Sequence, residues 1–189
     1  EFLPISSSGH LILLETWLPL SIDPRSLFTF DILLHAATAL ALVLCYAKIW
    51  WRIVTSPFSG SRKHKRLLLL LILATIPGAL AGVLLEDIIT NHLRSIPAVA
   101  TAFLVTSALL IAAHRACGKG VLYKTKWHQA LSIGLMQACA LIPGISRSGS
   151  TISIGQLVGL KREEALDFSF LMALPIIVGA SASTVLDMI

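Results

Sequence analysis

Three stretches of this sequence, 67–85, 97–113 and 168–186, contain no charged residue. Each is long enough to cross a hydrocarbon core as a helix at about 1.5 Å per residue. Nothing else in the chain restricts the fold as strongly, because backbone in lipid has to satisfy its own N–H and C=O groups. A fourth stretch, 29–47, is as long but carries Asp31 and His35, four residues apart on one helical face, which is expected to turn inward. The composition agrees: 56% of the 189 residues are hydrophobic and 13% charged, which excludes an ordinary soluble domain. The net charge of +5 does not point to nucleic acid, since Lys and Arg sit between the apolar runs and not along one amphipathic face.

Three further apolar runs, 11–20, 130–142 and 152–160, are too short to cross and are expected to be half-spans. The last two flank Pro143-Gly144-Ile145-Ser146-Arg147-Ser148-Gly149-Ser150-Thr151, a turn-rich stretch best accommodated as a re-entrant hairpin. Lys and Arg number six in 48–66, one in 86–96 and four in 114–128, which makes the first and third loops cytoplasmic. The run Arg62-Lys63-His64-Lys65-Arg66 belongs to that orientation signal. Cys45, Cys117 and Cys139 have neither metal-ligand nor disulfide spacing and are expected to be packing residues. No secretory signal is visible at Glu1.

Ile5-Ser6-Ser7-Ser8-Gly9-His10 lies over Ile145-Ser146-Arg147-Ser148-Gly149-Ser150 at an offset of 140, with four identities in six positions. The same offset carries Phe28-Thr29-Phe30 onto Phe168-Ser169-Phe170, so a duplicated unit is expected. Three spans separate the copies, and an odd number places the second upside down relative to the first. The expected fold is therefore all-α: a single polytopic membrane domain with inverted-topology repeats, each containing a re-entrant helix hairpin. Its parts are a first repeat core over 1–47, a cytoplasmic loop over 48–66, connecting spans and loops over 67–128, and a second, inverted core over 129–189. The two serine-rich loops are expected to face each other, with helix N-termini aimed at an anion. The competing reading of their Ser and Gly residues is close helix packing.

Arg147 stands at membrane depth, where a guanidinium costs about 3 kcal/mol to more than 10 kcal/mol depending on the reference state. Either a carboxylate such as Asp31 or Glu1 offsets that cost, or phosphate oxygens do. The planar fork suits phosphate, and the neighbouring hydroxyls, Ser6, Ser146, Ser148 and Thr151 among them, favour it. His10 is a candidate general base, general acid or phosphoryl acceptor, against the commoner reading of a lone histidine as structural. Glu1 is placed to hold a divalent cation, Mg2+ or Ca2+, against phosphate. Asp31 and His35 are expected to satisfy each other inside the bundle, with a supporting role near the site as the alternative.

Glu1-Phe2-Leu3-Pro4-Ile5-Ser6-Ser7-Ser8-Gly9-His10 and Pro143-Gly144-Ile145-Ser146-Arg147-Ser148-Gly149-Ser150-Thr151 together resemble the bacterial undecaprenyl-diphosphatase, or bacitracin-resistance, family. The resemblance covers essentially the whole chain. It implies a multi-pass enzyme of the bacterial inner membrane, its site open to the outer face, that hydrolyses undecaprenyl pyrophosphate to undecaprenyl phosphate and inorganic phosphate. It also implies that Glu1 is the second glutamate of a metal-associated Glu-x-x-x-Glu motif, that His10 is the essential histidine, that Ser7 is a proposed nucleophile, and that Ser146, Arg147 and Thr151 bind phosphate. A first glutamate before Glu1 and further spans after Ile189 are expected from the same resemblance, so the chain reads as a piece of a longer protein. The expected partners are a polyprenyl pyrophosphate lipid and the bilayer, with oligomeric state left open, a homodimer included. A polyprenyl-phosphate transporter or flippase is the competing class, since inverted repeats with broken helices are typical of secondary carriers.

Overall fold

The structure is a computed structural model describing residues 2–18 and 24–186, with side chains except at 24–29, 31, 32, 86, 87, 90, 91 and 180–186. Among the described residues the elements are α1 (Ser7–Trp17), α2 (Pro24–Val54), α3 (Ser56–Ser59), α4 (Arg62–His92), α5 (Ile96–His114), a 3-10 turn (Leu122–Lys124), α6 (Trp127–Cys139), α7 (Arg147–Leu157) and α8 (Arg162–Leu186). No strand forms among them, and Gly120 and Leu160 make an isolated parallel bridge.

Three described helical segments are long and apolar enough to cross a membrane: Leu33–Val54 in α2, Arg62–Leu85 in α4, and Ile96–His114, which is all of α5. The helices run past the charge-free stretches on which they were expected. Residues 48–66 hold the end of α2, α3 and the start of α4. Charge does not break a backbone hydrogen-bond ladder, and long Lys and Arg side chains reach the interface from a helix that continues. The expected span 168–186 falls within α8, whose side chains from 180 onward lie outside the described residues.

The short apolar runs become α1, α6 and α7, of 11, 13 and 11 residues. At 1.5 Å per residue these reach about 16–20 Å, well short of a hydrocarbon core of about 30 Å. The α7 helix ends in a Schellman turn: Gly159 takes φ +103°, its N–H donates to the Gln156 carbonyl, and Leu160 N–H donates to the Gly155 carbonyl. The turn is held from outside, because Gly120 N–H donates to the Gly159 carbonyl at 2.8 Å and Lys161 N–H to the Gly120 carbonyl at 2.9 Å.

Phe168, Leu171 and Met172 of α8 are buried with Leu67 and Leu71 of α4 and Ile133 of α6 in one apolar cluster. Small residues bring these helices close. A Cβ at Gly134 on α6 would run into the Ala74 backbone on α4, and one at Gly155 on α7 would come 2.7 Å from the Ala165 Cβ on α8. Facing outward, Trp51, Val83, Leu84 and Leu104 are exposed, an arrangement suited to lipid and not to water. Cys45, Cys117 and Cys139 are also exposed, so the expectation that they pack inside the protein is corrected. Cys45 and Cys139 lie on outward faces of α2 and α6, and Cys117 lies in the segment after α5.

The basic run 62–66 docks the segment that follows α5. Arg66 donates to the Thr125 carbonyl at 2.8 Å, and His64 and Lys63 both lie against the Tyr123 ring. On α8, Glu164 accepts from Leu122 N–H at 2.8 Å.

Candidate functional site

The two serine-rich segments fold alike at their helix starts. Ser6 caps α1 and accepts from Gly9 N–H at 3.4 Å; Ser146 caps α7 and accepts from Gly149 N–H at 3.1 Å. In both, the hydroxyl of the capping serine lies 3.4 Å from that of the serine two residues on, Ser8 or Ser148. A serine at the cap satisfies one of the orphan N–H groups of the first turn, and a glycine at the third helical position lets neighbouring backbone come close. The backbone at the capping serine differs: Ser6 takes φ +59°, a left-handed conformation that costs a non-glycine residue about 1–2 kcal/mol, whereas Ser146 is extended. Strain of that kind concentrates where a side chain has to be aimed.

Long-range contacts then bring the two starts together. Ser148 Oγ donates to the Leu3 carbonyl at 3.2 Å, and a Cβ on Gly149 would stand 3.1 Å from the Pro4 Cβ. A Cβ on Gly9 would stand 2.9 Å from the Gly144 Cα and 2.8 Å from the Phe103 ring, so glycine at 9 permits the contact. The middle of α5 supports both segments. Thr106 donates to the Gly144 carbonyl at 3.2 Å and accepts from Ser146 N–H at 3.1 Å, while Phe103 lies 5.0 Å from the His10 ring.

Between the segments lies a cavity of about 260 Å³. Ser6, Ser7 and Ser8 line it from one side and Ser146, Arg147 and Ser148 from the other, with His35 of α2 and Gln137 of α6 completing the polar wall. The remaining lining is largely apolar, including Leu3, Ile145, Ile176 and Ile177. One guanidinium, an imidazole and several hydroxyls around a space of this size can bind an oxyanion.

Two of the sequence candidates stand off this wall. His10 is exposed, and its Nδ1 lies 2.9 Å from the Ser6 carbonyl oxygen. Because a carbonyl only accepts, Nδ1 carries the proton in that bond and Nε2 is left as the acceptor of a neutral ring. Thr151 is fully buried, 2.6 Å from Ser169 Oγ and donating to the Arg147 carbonyl at 2.7 Å, so it fastens α7 to α8 behind the cavity. Glu1 and the Asp31 side chain lie outside the described residues, and the expected Asp31–His35 pair with them. His35, expected chiefly to satisfy Asp31, lines the cavity.

The sequence expectations did not single out Gln137, Thr106 or Phe103. Gln137 had a usable signal, a carboxamide inside the apolar run 130–142, where polar groups are rare. It is 3% exposed, and neither Nε2 nor Oε1 has a hydrogen-bond partner among the described residues. A buried polar group left so costs about 1–3 kcal/mol.

Among the described residues no three His, Cys, Asp or Glu side chains gather, and no carboxylate lines the cavity. Hard divalent cations are held by oxygen ligands, usually with carboxylates among them, so the described residues alone do not form such a site.

The family model described as "Bacitracin resistance protein BacA" matches residues 1–189. Proteins named undecaprenyl-diphosphatase are similar throughout. That of Thermosipho melanesiensis is 43% identical over 95% of this chain and 70% of its own length. That of Rubrobacter xylanophilus is 43% identical over 95% and 69%, and that of Elusimicrobium minutum 42% identical over 99% and 71%. These relatives carry the name of a phosphatase and not of a carrier. With a model matched from the first residue to the last and identities above 40% over nearly its whole length, the chain belongs to the bacitracin resistance protein BacA family.

Proposed function

We infer that this protein is a membrane enzyme hydrolysing undecaprenyl diphosphate to undecaprenyl phosphate and inorganic phosphate, so returning a lipid carrier to cell-wall synthesis. The observation that carries the reading is the cavity in which Ser6, Ser7 and Ser8 face Ser146, Arg147 and Ser148, in a chain of this family. The cavity has room for a diphosphate head group but not for a long polyprenyl tail, which would stay in lipid.

In the proposed reaction, Arg147 and the serine hydroxyls bind phosphate oxygens and take up the charge that develops on them. Ser7 is the better-placed nucleophile, because it lines the cavity and His10 does not. Ser7 Oγ forms a bond to the terminal phosphorus as the bond from that phosphorus to the bridging oxygen breaks. The lipid monophosphate leaves with the electron pair. His10, three residues on and on the same helical face, takes the Ser7 proton at Nε2. Water then hydrolyses the phosphoserine, releasing inorganic phosphate and restoring Ser7. A divalent cation at Glu1 would neutralise part of the diphosphate charge, a role resting on the resemblance alone.

The two segments are proposed to be inverted copies of one re-entrant unit. Their shared capping supports this, and so do their directions. From the cavity, α1 leads to Glu15, 4.0 Å from Arg94 just before α5, whereas α7 leads to Leu160, bridged to Gly120 beyond the other end of α5. Lys and Arg content makes 48–66 and 114–128 cytoplasmic, and the family resemblance supports a site that opens to the outer face of the bacterial inner membrane.

The test is phosphate release from farnesyl diphosphate by the purified protein in detergent, with EDTA as control, and by sealed right-side-out vesicles for sidedness. His10→Ala is expected to lose about 100-fold or more, the range of a general base. Undiminished turnover in both His10→Ala and Arg147→Ala would sink the assignment.

A further inference from the structure

Among the described residues that line the cavity, Gln137 is the one polar side chain that neither belongs to the serine-rich segments nor is ionisable. It sits on α6 where that helix meets α4, one turn beyond the Gly134–Ala74 approach. There Gly78 makes room for it: a Cβ at 78 would come 3.2 Å from Nε2 and 3.3 Å from Cγ of Gln137. Both polar atoms of the carboxamide are closed off from solvent and without a partner among the described residues, on a residue that lines the cavity. Buried amides in native proteins are almost always satisfied, so an orphaned one at the wall of a cavity marks a partner that arrives from the cavity. The partner's chemistry follows from the company. Across the cavity stand Arg147 and the serine hydroxyls, groups that gather an anion, and the amide NH2 is a neutral donor that adds a directed hydrogen bond to one.

Resting on the phosphatase reading, we propose that Gln137 binds the diphosphate head group, its Nε2 donating to a non-bridging phosphate oxygen while its Oε1 accepts from water held in the same cavity. Gly78 is the complementary feature, since a Cβ there would press on Ile176 Cδ1 at 3.0 Å and on the carboxamide at 3.2 Å.

The experiment compares the wild-type protein with Gln137→Leu and Gln137→Met, apolar replacements of similar length, in farnesyl diphosphate hydrolysis and in inhibition by inorganic pyrophosphate. Loss of a hydrogen bond to a charged oxygen is expected to raise KM and the pyrophosphate inhibition constant together, by about 10-fold or more. Thermal stability should hold or rise, because the orphaned amide is gone. A head-group role also predicts a larger loss in Gln137→Glu, whose carboxylate opposes phosphate. Unchanged KM and unchanged pyrophosphate inhibition in the folded apolar variants overturn the proposal while leaving the phosphatase reading standing. A wild-type protein that releases no phosphate overturns both.

Discussion

Replacing Arg147 by alanine is expected to lower kcat/KM for a polyprenyl diphosphate by about 100- to 1000-fold, the loss typical when a group stabilising developing oxyanion charge is removed. Arg147 is the first residue of α7 and lines the cavity beside Ser146 and Ser148. Its planar fork can take two phosphate oxygens at once, and the first turn of α7 adds backbone N–H groups that favour an anion at the same place. Lysine at the same position keeps the charge but loses the planar fork, so Arg147→Lys should recover part of the rate and not all of it. Steady-state kinetics of each variant check this, with a melting curve to establish that the variant is folded.

The second large effect is on folding. Gly144 takes φ +97°, and a Cβ there would lie 2.7 Å from both the Val99 carbonyl oxygen and the Ala102 Cβ on α5. The backbone conformation and the space both reject a side chain, so Gly144→Ala should cost about 2–4 kcal/mol from strain and overpacking together. The damage extends to the cavity, because the Gly144 carbonyl and the Ser146 N–H share Thr106, and moving the turn off α5 moves Arg147 with it. Loss of detergent-solubilised thermal stability together with turnover is the expected result. A fully stable, fully active Gly144→Ala would show that the turn does not depend on its seat against α5.

Much of the scaffold is legible in the sequence for a physical reason: lipid allows few backbone solutions, so charge-free runs of sufficient length read directly as helices. The helix starts are legible too, since Ser6 to Gly9 and Ser146 to Gly149 repeat the spacing a serine cap needs. What joins them is not. Thr106 looks like Thr101 in the same apolar span, yet Thr101 bonds back to the Pro97 carbonyl of its own helix while Thr106 holds the turn before α7. Only the packing of α5 against α7 separates the two. His35 shows the same limit. A spacing of four puts it on the face of Asp31, but periodicity does not say what that face meets, and His35 meets the cavity. Thr151 lies in the most recognisable motif of the chain but holds α7 to α8 from behind the cavity.

The claim that the two serine-rich segments form one phosphate site is tested most directly by a double-mutant cycle between them, scored as kcat/KM for a polyprenyl diphosphate. Ser7→Ala and Arg147→Ala each remove a group from opposite walls of the cavity. If both groups act on the same phosphate, the double variant should lose little more than the worse single variant, as groups acting as a unit do. Fully additive losses would contradict a shared site and place the two segments at separate tasks.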